Sequence, residues 1–481
     1  MDLSEEHIKQ IVSQVVANVR QSIDDGDTPT ASTPVSTRDE GIFDTVDAAI
    51  SAAQTAHLEL MEISVGKRKE IINSIREMAS QHVEELSRLA VEETGFGRYE
   101  DKLNKNRLVI NKTPGVEDIE TWAVSGDNGL TIQECAPYGV IGSITPCTNA
   151  TETAICNSIG MIAGGNSVVF NAHPTSAGAS NRAVEIINSA IIEAGGPANV
   201  VTAIRKPTIQ SAQQIMTHPG IRLLVVTGGP AVVRAAMKSG KRVIAAGPGN
   251  PPAVVDSHVH IEKAALDIYN GASFDNNVIC TDEKVIVCVD SIASQFKEAI
   301  IAQGAVELTE RDAEKVINTI FQSKSGGEHP NAGVIDKAYV GRDASYILEK
   351  SGITVKGDPR LAIIDVPHDH PLAWTEQLMP IVPLVRMPDI DKAIDYAVEV
   401  EQGNRHTASM HSLNIEKLSR MARLINSSIF IKNGPNYAGL GFGGEGYTSF
   451  TIASPTGEGL TRARHFTRTR RCTLVDYFRI T

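Results

Sequence analysis

The sequence is short of several things. Its 481 residues contain no run of about 18 consecutive apolar residues, which excludes a membrane-spanning helix read from hydropathy. The amino terminus lacks the apolar stretch and small-residue cleavage site of a secretory signal, so no secretory leader is expected. Cysteine is sparse: six residues stand irregularly at 135, 147, 156, 280, 288 and 472, giving neither a disulfide framework nor a C-x-x-C zinc site. Reduced thiols in a cytosolic compartment are expected. Positive charge is in deficit, 45 Lys and Arg against 57 Asp and Glu, and a net charge of −12 argues against nucleic-acid binding by bulk charge. The 39 glycines follow no G-X-Y period and no internal repeat is visible. What remains is an ordinary globular composition, 42% hydrophobic and 21% charged, over a length that allows two or three folded units.

The amino-terminal 20 residues read as an amphipathic helix, because Ile8, Ile11, Val12, Val15, Val16 and Val19 recur at three- and four-residue spacings. Ser4 can cap it, and Glu5 and Glu6 complement the helix dipole in its first turn. Residues 28–37 (TPTASTPVST) hold six Ser or Thr and two Pro, a composition that builds a linker and no core, so 21–40 is read as a flexible leash. Such a helix either packs on its own domain or docks into a partner's groove. Asp2, Glu5 and Glu6 speak against a mitochondrial transit peptide.

From residue 41 helical and strand patterns alternate. A long helical stretch over 66–94 is expected to break near Ser80–His82. Strands are expected at 130–134, 138–144, 167–171, 199–204, 222–227 and 242–245, with helices at 151–164, 177–194, 208–217 and 230–239. After a junction near Pro251-Pro252 the pattern resumes with helices at 261–271, 291–303, 309–320 and 390–402 and strands at 284–289, 361–365 and 427–431. Alternation of this kind predicts an α/β chain with two mainly parallel sheets joined by right-handed crossovers.

Three segments could carry chemistry. The loop at 145–153 leaves one expected strand and opens a helix, where open α/β sheets place ligands. Asn149 in it could donate its side-chain NH2 to an oxyanion, or merely cap the helix. The turn Thr227-Gly228-Gly229-Pro230 lets backbone approach a phosphate or nicotinamide, though a plain tight turn explains it equally. Cys280, in GASFDNNVICTDEKVIVCV at 271–289, is the best placed cysteine to be reachable, whereas Cys288 falls inside an apolar strand. Asp256, His258 and His260, and separately His368-Asp369-His370, resemble metal ligands in type but lack further partners, so no metal is expected. The basic stretch TRARHFTRTRR at 461–471 fits subunit contacts better than nucleic acid.

Together these segments resemble the aldehyde dehydrogenase superfamily, and within it the coenzyme A-acylating acetaldehyde and propionaldehyde dehydrogenases of bacterial microcompartments. The motifs are ETGFGRYEDKLNKN at 93–106, TPGVED at 113–118, GDNGL at 126–130, the 137–174 segment, VVTGGPAVV, AAGPGNPP at 245–252, GASFDNN, EQLMP at 376–380, KNGPNYAGLGFGGEG at 432–446 and PTGEG at 455–459. The resemblance implies a cofactor domain over 41–250, a catalytic domain over 251–432, and a small oligomerisation unit from strands near 121–137 and the arm at 433–481. It implies that Cys280 is the nucleophile and Asn149 the oxyanion donor. Thr145, Pro146, His173, Pro174, Thr227, Gly228, Gly229, Gly247 and Glu376 are then expected to line an NAD site whose adenine end coenzyme A reuses.

Two departures from the superfamily pattern matter. Ala245 stands where hydrolytic relatives carry a general-base glutamate, which favours thiolysis by coenzyme A over hydrolysis. His173 stands where many relatives have a ribose-binding lysine, which leaves NAD expected over NADP. The implied substrate is a short-chain aldehyde, propionaldehyde or acetaldehyde. The implied partners are a second copy of the chain, as dimer or tetramer, and a microcompartment shell protein engaged by residues 1–20, in the lumen of a cytoplasmic microcompartment. No nucleic acid or membrane partner is expected. A hydrolytic dehydrogenase releasing free acid and a catalytically idle shell adaptor are the competing expectations.

Overall fold

A computed structural model describes residues 41–479; the helix expected over 1–20 and the leash over 21–40 lie outside the described residues. The first half of the chain supplies strands β1 (Ile42–Phe43), β2 (Trp122–Gly126), β3 (Gly129–Pro137), β4 (Val140–Ile144), β5 (Ser167–Asn171), β6 (Val201–Ile204), β7 (Leu223–Thr227) and β8 (Arg242–Ala246). Its helices are α1 (Val46–Met61), α2 (Val65–Gln81), α3 (Val83–Thr94), α4 (Tyr99–Lys112), α5 (Ala150–Ala163), α6 (Ala177–Glu193), α7 (Ile209–Thr217) and α8 (Pro230–Met237). The long helical stretch does break, at His82, which ends α2 and begins α3. Ser64 caps α2 by accepting from the Lys67 N–H at 3.1 Å, and Gly95 ends α3 at a left-handed φ of 66°.

Six of these strands form a parallel sheet in the order β1-β6-β5-β4-β7-β8. Strand β7 shows why it is buried on both faces. Leu223 and Val225 face one apolar cluster with Ile155, Ile159 and Phe170, while Leu224 and Val226 face another with Ile50, Val169 and Ile215. The chain leaves β4 to one side, toward β5 and β6, and returns on the other side at β7. That reversal makes the carboxyl ends of β4 and β7 a topological switch point, where such sheets bind ligands.

The second half adds β9 (Pro252–Val255), β10 (Val285–Val289), β11 (Val306–Glu307), β12 (Phe321–Ser323), β13 (Val334–Ile335), β14 (Ala362–Asp365), β15 (Ile381–Met387), β16 (Thr407–His411), β17 (Ile429–Lys432), β18 (Ile452–Ala453), β19 (Gly459–Leu460) and β20 (Thr467–Val475). Seven of them form a second parallel sheet ordered β11-β14-β15-β10-β9-β16-β17. Helix α9 (Ile261–Ser273) runs from β9 toward β10. Strands β12 with β13 and β18 with β19 are short antiparallel pairs. Beyond β17 the chain returns to the first half, burying Phe450, Ile452, Ala463 and Phe466 in the same cluster as Ile155 and Phe170.

The third sheet is antiparallel, β2-β3-β20, in continuous register from Thr467 opposite Pro137 to Val475 opposite Gly129. Strand β2 is exposed throughout, and Trp122, Val124, Leu474 and Val475 leave apolar surface uncovered. Two Rossmann-like parallel sheets with a small strand unit are therefore the architecture expected from the sequence. Several elements escape hydrophobic periodicity: α1, α4, β9, β15 and β16 have no counterpart among the expected ones.

Candidate active site

Cys280 sits half-buried between α9 and β10 on a loop with unusual backbone. Asp275, Asn276 and Asn277 adopt left-handed φ values of 47°, 55° and 60° in succession. Each such residue costs of order 1–3 kcal/mol and persists only where its surroundings over-determine it. Here they do. The Asp275 N–H donates to Asp101 at 2.9 Å, the Asn276 amide donates to the Gly341 carbonyl at 3.0 Å, and the Asn277 amide donates to the carbonyls of Ala272 and Glu283 at 2.8 and 2.9 Å. The fully buried Lys284 closes the loop, donating to the Asn277 carbonyl at 2.7 Å, the Asn277 Oδ1 at 2.6 Å and the Ile279 carbonyl at 2.8 Å. Asp282 accepts from the Ile279 N–H at 3.1 Å.

The segment joining the two parallel sheets runs beside this loop. The Lys284 N–H donates to the Pro251 carbonyl at 2.9 Å, and a Cβ on Gly249 would come within 2.8 Å of the Cys280 carbonyl. Gly249 is thus glycine for close approach. Its N–H donates to Glu376 Oε1 at 3.1 Å, which brings a carboxyl into the same site. Burial raises the Glu376 pKa to about 7, against the pull of Lys284 and the Gly249 N–H. Burial likewise pushes the Cys280 thiol up to about 12, with the Glu376 carboxylate adding to the rise and Lys284 opposing it. The Cys280 side chain at rest is therefore a thiol. His406, buried against Gly249, is held neutral by burial, its pKa pushed down to about 3; its Nδ1 lies 2.9 Å from Thr407 Oγ1 and its Nε2 has no protein partner.

Asn149 occupies the N-cap position of α5 but makes no capping bond. Its amide oxygen accepts from Lys105 Nζ at 2.6 Å and its Nδ2 donates to Thr148 Oγ1 at 3.2 Å. Helix capping is thus not what this side chain does.

The other expected residues gather at the carboxyl ends of the first sheet. Thr145 and Pro146 follow β4, His173 and Pro174 follow β5, Thr227 to Gly229 end β7 and begin α8, and Gly247 follows β8. The strands hold these ends in register, the Thr145 N–H donating to the Asn171 carbonyl at 3.2 Å and the Gly228 N–H to the Ala246 carbonyl at 3.1 Å. Gly229 has open space where a Cβ would stand, and His173 is exposed, with Nδ1 2.8 Å from Thr175 Oγ1. An open glycine at a switch point, flanked by the half-buried Thr227, fits a dinucleotide whose backbone-facing groups need close approach. Ala245 is fully buried, its N–H donating to Thr456 Oγ1 at 3.0 Å, so β8 offers no carboxylate at that position.

A sequence profile described as the aldehyde dehydrogenase family matches residues 25–469. The chain belongs to the aldehyde dehydrogenase family. It is 47% identical over 491 aligned positions to the acetaldehyde dehydrogenase (acetylating) of Bilophila wadsworthia, covering all of both chains. Among solved structures it resembles Rhodopseudomonas palustris propionaldehyde dehydrogenase with bound CoA and an acylated cysteine: 48% identity, TM-score 0.87, 91% of this chain and 98% of that one covered. It also resembles a propionaldehyde dehydrogenase from the Clostridium phytofermentans fucose utilisation bacterial microcompartment, at 47% identity and TM-score 0.89, over 92% of this chain and all of that one.

Some residues of this aldehyde dehydrogenase site were not among those expected. Lys105, Lys284, Gly249 and His406 carry no motif of their own in the sequence; Lys105 and Gly249 lie inside segments that matched the family without a role attached. Among the described residues no three His, Cys, Asp or Glu side chains converge to hold a metal ion. Asp256 instead accepts from Ser412 Oγ at 2.6 Å, and His370 Nδ1 accepts from the Leu372 N–H at 3.1 Å. No helix among the described residues is long and apolar enough to cross a membrane.

Proposed function

We propose that this protein is a coenzyme A-acylating dehydrogenase of a short-chain aldehyde, working through a thioester on Cys280. The observation that carries the reading is the strained loop that Lys284, Asn277 and Asp282 tie down around that cysteine. Cys280 loses its thiol proton to solvent and its sulfur forms a bond to the aldehyde carbonyl carbon, moving the carbonyl electrons onto oxygen. The Asn149 amide and the Cys280 backbone N–H receive that oxyanion. Thr145, Pro146, His173, Pro174, Thr227, Gly228, Gly229, Gly247 and Glu376 would hold NAD, which when bound supplies a two-electron hydride acceptor. Once the aldehyde carbon is oxidised, the acyl group remains on Cys280, and the thiol of coenzyme A displaces it as acyl-CoA. Ala245 supports thiolysis, because a thiol needs far less activation than water and no carboxylate stands on β8 to activate water. The same chemistry run backward reduces acyl-CoA to aldehyde.

The exposed β2-β3-β20 sheet, with Trp122, Val124, Leu474 and Val475 uncovered, supports self-association of the chain as a dimer or tetramer. Kinship with an enzyme from a microcompartment supports residence in a microcompartment lumen, with residues 1–20 engaging a shell protein. The test of the reaction is steady-state NADH formation from propionaldehyde and NAD, with and without coenzyme A. Turnover that requires coenzyme A and yields propionyl-CoA is expected; full-rate NADH formation with free propionate as product contradicts the proposal.

A further inference from the structure

Lys102 and Lys105 are among the most deeply buried side chains of the protein, at 2% and 1% exposure, and the reaction as described uses neither. They lie one turn apart on α4, on the face turned toward the active site. An ammonium is expensive to remove from water unless paired, so two of them side by side call for an explanation. Both bind one carboxylate: Lys102 Nζ lies 2.8 Å and Lys105 Nζ 2.6 Å from Asp275 Oδ2, and Lys105 is also 3.2 Å from Glu152 Oε1. Two cations and two carboxylates make a node of zero net charge. The other Asp275 oxygen accepts from the Arg98 N–H at 3.0 Å, and Gly97, at φ 75°, leaves no room for a Cβ beside that carboxylate. The motif GFGRYEDKLNK is thus built around Asp275, the first left-handed residue of the nucleophile loop.

The node also reaches the other half of the site. Lys102 Nζ donates to the Thr148 carbonyl at 2.9 Å, and Lys105 Nζ donates to the Asn149 Oδ1 at 2.6 Å. Burial lowers the pKa of both lysines, but for Lys105 the Asp275 and Glu152 carboxylates outweigh it and the net shift is upward, so this group stays an ammonium. An amide oxygen gripped by an ammonium cannot exchange places with its NH2, because that would set two donors against each other. A charge on the oxygen also polarises the amide and strengthens its N–H as a donor.

We infer that Lys105 is a positioning residue of the reaction: through Asn149 Oδ1 it fixes the amide with its NH2 available to the substrate oxyanion, and through Asp275 it ties that donor to the loop bearing Cys280. The inference rests on the proposed use of Asn149 as oxyanion donor, and a double-mutant cycle separates the two. The variants are Asn149→Ala, the charge-balanced pair Lys105→Met with Glu152→Gln, which leaves Lys102 paired with Asp275, and the three changes together. The readouts are the pre-steady-state burst of NADH on mixing with propionaldehyde and NAD, the KM for aldehyde, and Tm.

Asn149→Ala is expected to slow the burst about 10²- to 10³-fold. The balanced pair is expected to slow it about 10- to 100-fold with KM for aldehyde within about twofold, and to cause no further loss in the Asn149→Ala background. Glu152→Gln alone should leave the burst within about threefold of the parent, since Lys105 keeps its bond to Asn149. Lys105→Gln, a neutral donor of shorter reach, runs through the same cycle if the pair does not fold, and the same non-additivity is expected. An unchanged burst in the Lys105 variants, or an equal loss with and without Asn149, overturns the inference while leaving the oxyanion reading intact. An undiminished burst in Asn149→Ala overturns the oxyanion reading and the inference with it.

Discussion

The two sides of the site are built in opposite ways. The nucleophile side, residues 273–284, is short and backbone-strained, and buried Lys284, Asn277, Asp282 and the Lys105–Asp275 node tie it together. The crevice side, at the carboxyl ends of β4, β5, β7 and β8, has an open Gly229 and an exposed His173. The difference follows from what each side has to do. A nucleophile and its oxyanion donor gain rate from fixed geometry, which must be held against strain. If the crevice takes a dinucleotide and then coenzyme A, as proposed, it has to release one large ligand before taking the other, and tight side-chain closure would slow that exchange.

Substitutions on the two sides should therefore fail differently. Cys280→Ala is expected to lower turnover by at least about 10⁴-fold with an unchanged Tm, because it removes the reacting sulfur and little packing; steady-state rates and thermal melts check both halves of the statement. Lys284→Met leaves the Asn277 and Ile279 carbonyls buried without their donor. It should cost about 3–5 kcal/mol of stability, read by urea denaturation. If it costs less than about 1 kcal/mol, the nucleophile side is not the rigid half described above.

Glu376→Gln tests the electrostatics between the two sides. The Glu376 carboxyl titrates near pH 7, and its charge raises the Cys280 pKa. Removing it should speed alkylation of Cys280 by iodoacetamide about 3- to 10-fold above pH 8, with little difference at pH 6 where the parent's Glu376 is protonated. A ratio of rates that does not grow with pH contradicts that coupling. Gly229→Val fills the open space at the start of α8 and is expected to raise the KM for NAD about 5- to 10-fold, with Tm shifted by no more than about 2 °C. Weaker binding without loss of stability would mark the crevice as the permissive half.

The same contrast decides how much the sequence reveals. The crevice is legible because its strands are continuous apolar runs such as LLVV before Thr227, and its glycines mark the turns. Cys280 is legible as the one cysteine in a polar stretch ahead of an apolar strand. Its support is not. Helix α4 buries Asp101, Lys102, Lys105 and Asn106 beside Leu103, Leu108, Val109 and Ile110, so its inward face does not look inward when only apolar residues are counted. Strand β16, TASMH, is fully buried yet half polar, and escapes for the same reason. Lys105 and Asn149 are 44 residues apart, and nothing local in either segment announces that an ammonium will hold the amide oxygen. That Asn149 makes no capping bond is likewise visible only in the packed structure.

The proposed chemistry passes through an acyl group on Cys280. Mixing the enzyme with propionaldehyde and NAD in the absence of coenzyme A, quenching in acid and mapping peptides by mass should find one propionyl group per chain, on Cys280, that disappears within one turnover time once coenzyme A is added. An unmodified Cys280 with NADH formed, or an acyl group on another cysteine such as Cys147, would contradict it.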